Sequence, residues 1–232
     1  QSLGPDLGQC CGGRATIRIE VFTRADAPWL RPLALAEQTR GAIETLGRMD
    51  AQGRLIRRLA GRSEPVARLD EVVEHFGERL TPLYLFGAGH VGRALVLALA
   101  PLPFRIEWVD TRAEAFPSVA PGHVEMWQLA DPRSALADAP SGALVAIMTH
   151  SHPLDLAIVA RALSDPRFPY VGMIGSDTKR SRFLSILGKM GLDKSLIDRL
   201  VLPIGGRRLR DKSPAVIAAA IAVELLEMRE RL

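Results

Sequence analysis

The segment Gly87-Ala88-Gly89-His90-Val91-Gly92 constrains this chain more than any other. It stands between a short apolar run, Leu83-Tyr84-Leu85-Phe86, and a helix-periodic stretch from Val91 to Leu99. A strand that passes through such glycines directly into a helix opens a βαβ unit. Gly87 permits the tight turn, Gly89 lets a phosphate approach the backbone, and Gly92 lets the helix lie close on the sheet. The first N–H groups of the helix have no acceptor within it and favour an anion. Asp110 closes the next strand, 18 residues after Gly92, where it would accept from a ribose hydroxyl or another polar ligand group. His90 is read either as a ligand contact or as an exposed loop residue.

The rhythm set by this turn continues to the end of the chain. Arg105–Val109, Val124–Leu129, Ala143–Met148, Tyr170–Ile174 and Leu200–Ile204 read as strands. Pro132–Ala137, Leu154–Leu163, Thr178–Met190 and Pro214–Arg231 read as helices, the last with Ser213 as N-cap. The expected fold class is α/β, a Rossmann-like doubly wound parallel sheet over residues 81–232. A smaller α+β domain is expected over residues 1–80. Within it, Arg14–Phe22 alternates and predicts a half-buried strand, with Ile17, Ile19 and Val21 on one face. Arg31–Met49 predicts a helix opened by Pro32, Leu55–Leu59 a short strand, and Leu69–Phe76 a short helix in a polar connector.

Composition closes off several classes. Of 232 residues, 47% are hydrophobic and 24% charged, which is ordinary globular usage. No apolar run reaches the roughly 18 residues that span a bilayer, and the alanine-rich stretch Pro214–Leu226 contains Glu224. Without a signal pattern at the N-terminus, a cytoplasmic protein is expected. The two cysteines, Cys10 and Cys11, are adjacent and close no useful loop. They are read as packing, as a soft-metal site or as sulfur-carrying thiols. Of the 30 basic residues all but four are arginine. The few aromatics and the scattered charge argue against nucleic-acid binding.

Three further segments fall at predicted strand ends. Thr149-His150-Ser151-His152-Pro153-Leu154-Asp155 follows a buried strand. Its His150, His152 and Asp155 are read as ligand contacts or, at a spacing that fits no common zinc signature, as a metal triad. Gly172-Met173-Ile174-Gly175-Ser176 ends another strand and suggests a second anion nest at Gly175 and Ser176. Lys179 and Arg180 then lie against the dipole of the helix that follows, a cost that a bound phosphate would offset. From Tyr170 to Lys212 the chain carries ten basic and four acidic residues, including Arg207, Arg208 and Arg210. Pro203-Ile204-Gly205-Gly206 forms a further loop. Glu224 interrupts the apolar stripe Ile217, Ile221, Met228 and needs a partner if buried.

Taken in order, Gln9-Cys10-Cys11-Gly12-Gly13, the Gly87–Gly92 turn, Thr149–Asp155, Gly172–Ser176 and Pro203-Ile204-Gly205 resemble the XdhC/CoxI family. Its members are accessory proteins of xanthine dehydrogenase and related molybdenum hydroxylases. The resemblance implies an N-terminal XdhC/CoxI-type domain and a C-terminal Rossmann domain. It also implies binding of the molybdenum cofactor (molybdopterin), with a cysteine desulfurase supplying the sulfido ligand and the apo-enzyme as recipient. The expected role is a cofactor chaperone rather than a turnover enzyme, and a homodimer is expected. Cys10 and Cys11 match the family's cysteine turn and are candidate molybdenum or sulfur contacts. Family members carry a Gly-rich segment ahead of that turn. This chain begins after it, so the N-terminal domain is expected to be incomplete at its start. An NAD(P)-dependent oxidoreductase, with NAD preferred through Asp110, is the alternative that the Gly-rich turn supports.

Overall fold

Six parallel strands, side by side in the order Val124–Gln128, Phe104–Asp110, Thr81–Phe86, Leu144–Ile147, Tyr170–Met173 and Leu200–Val201, build the larger of two units in the computed structural model, residues 79–232. The smaller unit covers residues 1–78. The structure describes residues 18–60, 71–206, 209 and 211–232. Cys10, Cys11, the Arg14–Ile17 half of the first predicted strand, and Arg207, Arg208 and Arg210 lie outside the described residues.

In the smaller unit, helix α1 (Ala27–Arg40) precedes strands β1 (Ala42–Met49), β2 (Leu55–Leu59) and β3 (Glu71–Gly77). These form an antiparallel sheet in the order β2-β1-β3. Three sequence expectations fail here. The single helix over Arg31–Met49 is a helix and a strand. Gly41 stops the helix at a φ of +76°, and its N–H donates to the Glu37 carbonyl at 2.7 Å. Pro28 occupies the first turn and Pro32 lies inside the helix. The helix over Leu69–Phe76 is, from Glu71 onward, β3, where β-branched Val72 and Val73 pair with β1. Residues 18–22 form no strand, and Ile19 and Val21 are 86% and 85% exposed. Glu20 instead accepts from Arg57, which also donates to Glu74 at 2.5 Å.

The larger unit contains β4 (Thr81–Phe86), α2 (His90–Leu99), β5 (Phe104–Asp110), β6 (Val124–Gln128) and β7 (Leu144–Ile147). It continues through α3 (His152–Leu163), β8 (Tyr170–Met173), α4 (Asp177–Lys189), α5 (Lys194–Ile197), β9 (Leu200–Val201) and α6 (Pro214–Arg229). The inner strands β4, β7 and β8 are apolar on both faces, as a sheet covered on both sides requires. Leu83, Leu85, Ile106, Leu144 and Ala146 face Leu95 and Leu99 of α2 and Ile221 and Leu225 of α6. Tyr84, Phe86, Val145, Ile147 and Val171 face Ile158 and Leu163 of α3 and Phe183 of α4. The sheet is therefore doubly wound. Ser213 stands at the N-cap of α6 as expected, without a side-chain cap bond. The last strand stops at Val201, short of the predicted Ile204.

Glu224 has the partner its position demands. The Tyr170 hydroxyl donates to it, and so does the Gly205 N–H at 2.9 Å. Burial and the Glu224 charge push the Tyr170 hydroxyl well above the usual tyrosine range, so it stays a donor. Gly172 makes room for this bond, since a Cβ there would lie 2.5 Å from the Tyr170 oxygen. Tyr170→Phe is therefore expected to cost about 2 kcal/mol, the range for a hydrogen bond to a charged group. Urea unfolding at neutral pH checks this, and an unchanged midpoint would contradict it.

Candidate functional site

In an open parallel sheet, ligands bind beyond the carboxyl ends of the strands, where the strand order reverses. Here that point lies between β4 and β7. Gly87 leaves β4 at a φ of +112°, and a Cβ there would lie 2.3 Å from the Met148 carbonyl oxygen. Only glycine fits. Its N–H donates to the Val109 carbonyl at 2.8 Å, and its own carbonyl accepts from the Trp108 indole at 3.1 Å. Gly92 brings α2 against the turn, since its Cβ would lie 2.1 Å from the Gly87 oxygen. Gly89 differs. It is the N-cap of α2, it is exposed, and nothing stands within 4 Å of where its Cβ would be. That open backbone, followed by the N–H groups opening α2, is where an anionic group fits. His90 is the first residue of α2 and is exposed.

Asp110 reaches into the same turn and is 3% exposed. One carboxylate oxygen, Oδ2, accepts from the Ala88 N–H at 2.7 Å and from Arg112 Nη2 at 3.1 Å. Oδ1 accepts from the N–H and the Nε of Arg112, both at 3.0 Å. Burial alone would raise the Asp110 carboxyl. The Arg112 guanidinium and the two backbone N–H groups outweigh burial and hold it below the usual carboxylate range. Arg93 grips the turn from the other side, donating to the Ala88 carbonyl at 3.3 Å and to Ala115 at 3.1 Å.

Across the crevice, Asp155 is fully buried and turned inward. Its Oδ1 accepts from the N–H and hydroxyl of Thr149, at 3.1 and 2.7 Å, and its Oδ2 from Lys179 Nζ at 2.8 Å. His150 and His152 are exposed, and His152 meets the Phe183 ring edge-on at 6.3 Å. Among the described residues no group of three or more His, Cys, Asp or Glu is placed to hold a metal ion. The triad reading of His150, His152 and Asp155 therefore fails, because Asp155 is committed to Thr149 and Lys179. Nor do Lys179 and Arg180 call for a phosphate. Lys179 is paired with Asp155, and Arg180 donates to the Leu202 carbonyl at 2.8 Å. Ser176 caps α4 by accepting from the Lys179 N–H at 3.2 Å, with Gly175 half-buried before it.

The structure thus brings Gly87, Gly89, Gly92 and Asp110 into one turn and places His150, His152, Asp155, Gly175 and Ser176 after neighbouring β7 and β8. Sequence reasoning missed Arg112, Trp108 and Arg93. The first had a signal, a cation two residues after Asp110 on the same turn.

A parallel sheet of this order, with a glycine turn at its reversal, defines a Rossmann-type domain. Residues 83–225 match the family model of the XdhC Rossmann domain, and the chain belongs to that family. The fold is similar to that of a crystal structure of a xanthine dehydrogenase from Bacillus halodurans, with a TM-score of 0.68 at 17% identity. That likeness covers 88% of this chain and 64% of the other, so this chain spans less than two thirds of its neighbour's length. No curated protein matches the chain. None of the described helices is long and apolar enough to cross a membrane.

Two outcomes follow from the turn. Gly92→Ala is expected to destabilise by about 2 kcal/mol or more, the usual cost of overpacking against backbone that cannot yield. Gly89→Ala should cost under about 1 kcal/mol, because its Cβ meets nothing. Thermal unfolding of both variants checks the order, and equal losses would contradict it. Because the Asp110 pKa is depressed by folding, its stabilisation is present above the unfolded value, about 3.9, and is lost as pH falls below it. The stability margin of the wild type over Asp110→Asn should therefore be widest near pH 7 and shrink below about pH 4. Denaturant titrations at several pH values test this, and a constant margin would refute it.

Proposed function

We propose that the protein is an accessory factor of xanthine dehydrogenase. It binds the molybdenum cofactor, holds it for sulfuration by a cysteine desulfurase and assists its insertion into the apo-enzyme. The observation that carries this reading is the open backbone at Gly89, flanked by the start of α2 and the Arg112 guanidinium, in a chain of the XdhC family. These groups suit the phosphate tail of the cofactor. The residues proposed to form the cofactor crevice are Gly87, Gly89, His90, Gly92 and Asp110 on one side, and His150, His152, Asp155, Gly175 and Ser176 on the other. Asp110 and Asp155 act through the groups they hold, since both are buried. Cys10 and Cys11 are the proposed molybdenum or sulfur contacts, because a thiolate suits a soft metal or a sulfur transfer. When bound, the molybdenum cofactor supplies the redox centre of the recipient enzyme, and this chain serves as its carrier in the cytoplasm, as a homodimer.

The second reading is an NAD(P)-dependent oxidoreductase, favoured by the glycine turn itself. It is weakened at Asp110, whose acceptor positions are taken by Ala88 and Arg112. Anaerobic calorimetry of the full chain, with thiols protected, distinguishes the two. Cofactor released from a molybdoenzyme should bind at about one per chain, with NADH silent. Tight NADH binding with turnover on carbonyl substrates, and no uptake of the molybdenum cofactor, would reverse the assignment.

A further inference from the structure

In nucleotide-binding folds of this order, the acidic residue ending the second strand accepts from the ribose hydroxyls, whereas an arginine nearby accommodates a phosphate on that ribose. Asp110 occupies the acid's position, at the end of β5, yet it has nothing left to accept with. An ionised carboxylate offers about four acceptor sites. Here two on Oδ1 are filled by Arg112, and two on Oδ2 by Ala88 and Arg112. A ribose diol would have to displace a guanidinium from a buried carboxylate, which leaves that charge without its main partner.

With Asp110 turned inward, this corner offers solvent the Arg112 guanidinium, with the exposed Glu114 close enough to act on it. The Arg112 side chain is 38% exposed, donates to Asp110 through Nε and Nη2, and donates to no other described residue through Nη1. Its geometry is fixed by the fork it makes with Asp110, so a further anion meets a pre-oriented planar donor. Arg93, anchored on the Ala88 and Ala115 carbonyls, adds a second guanidinium at the same turn.

We propose that the Arg112–Asp110 pair makes the β5 end of the crevice a phosphomonoester-recognition subsite, so that the protein selects a ligand terminating in a phosphate there over one ending in a ribose diol. This rests on the reading that the crevice holds a phosphate-bearing ligand, and it adds which end of that ligand sets specificity. The shared chemistry is a phosphomonoester dianion. It is carried by a 2′-phosphorylated adenine nucleotide or by the phosphate tail of a pterin cofactor.

The experiment compares ADP-ribose with 2′-phospho-ADP-ribose, which differ in that one group, by calorimetry on the full chain. Released molybdenum cofactor forms a third arm under anaerobic conditions. The wild type should bind at least one phosphomonoester ligand. If this is the nucleotide, 2′-phospho-ADP-ribose should bind about tenfold or more tightly than ADP-ribose, and Arg112→Gln should bring the two together. If it is the pterin, the molybdenum cofactor should lose about tenfold or more on Arg112→Gln. Arg112→Lys, which keeps the charge and loses the fork, should fall between wild type and Arg112→Gln and guards against a folding defect. Equal affinity for the two nucleotides in the wild type, with molybdenum-cofactor binding indifferent to Arg112→Gln, overturns the subsite while leaving the crevice reading standing. Binding of none of the three ligands overturns both.

Discussion

The architecture of the larger unit hangs on a backbone-to-backbone approach that no side chain could survive. At Gly92, a methyl group would lie 2.1 Å from the Gly87 carbonyl oxygen, and at Gly87 it would lie 2.3 Å from that of Met148. These two absences let α2 begin directly above the end of β4 and against the loop that leaves β7. The Trp108 indole, buried and packed edge-on against Phe116 at 5.4 Å, then fixes the Gly87 carbonyl with a hydrogen bond. The helix start therefore faces the reversal point of the sheet because the packing permits no other placement. Gly89, between these two contact points, is left with open space.

Around that turn, buried carboxylates serve as internal ties. Asp110 joins the end of β5 to the glycine turn, and Asp155 joins the loop after β7 to Lys179 of α4. A buried charge is tolerable only when paired and hydrogen-bonded, and both meet that condition. Their commitment has a chemical consequence. With Asp110 and Asp155 turned inward, the polar groups left at the glycine turn are mainly donors, the N–H groups opening α2 and the Arg93 and Arg112 guanidiniums, with the exposed His90 and Glu114 beside them. Such a surface favours an anion and offers little to a ribose hydroxyl or a metal ion. It fits the phosphate-bearing ligand proposed above, in a chain of the XdhC family.

Much of this was legible in the sequence, for identifiable reasons. The alternation of short apolar runs and helical periods over residues 81–232 is strong because the inner strands β4, β7 and β8 are buried on both faces. The glycine spacing is legible because backbone contact demands glycine itself. The small unit was less readable. Ala42–Met49 carries apolar residues at spacings that suit a helix as well as a strand, and only Gly41 marks the break. Val72 and Val73 favour a strand, but their pairing with β1 is a contact across the fold that no local pattern displays. In the site, residue types were found and their commitments were not. Asp110 and Asp155 stand out as acids at strand ends, while the partners that occupy them are set by geometry. Arg112 lies only two residues from Asp110 and was within reach of a local reading. Lys179 lies 24 residues from Asp155 and was not.

We propose that the glycine turn above β4 is the surface that receives a phosphate-bearing cofactor. Its most direct test is an anaerobic NMR titration of the nitrogen-15-labelled chain with molybdenum cofactor, following the backbone amides of Ala88 to Val91 and the Trp108 indole. That indole donates to the Gly87 carbonyl and so reports any change in the turn. These resonances should shift together and saturate at one cofactor per chain. Cofactor binding that leaves them in place would contradict it, and would assign the cofactor to a different part of the molecule.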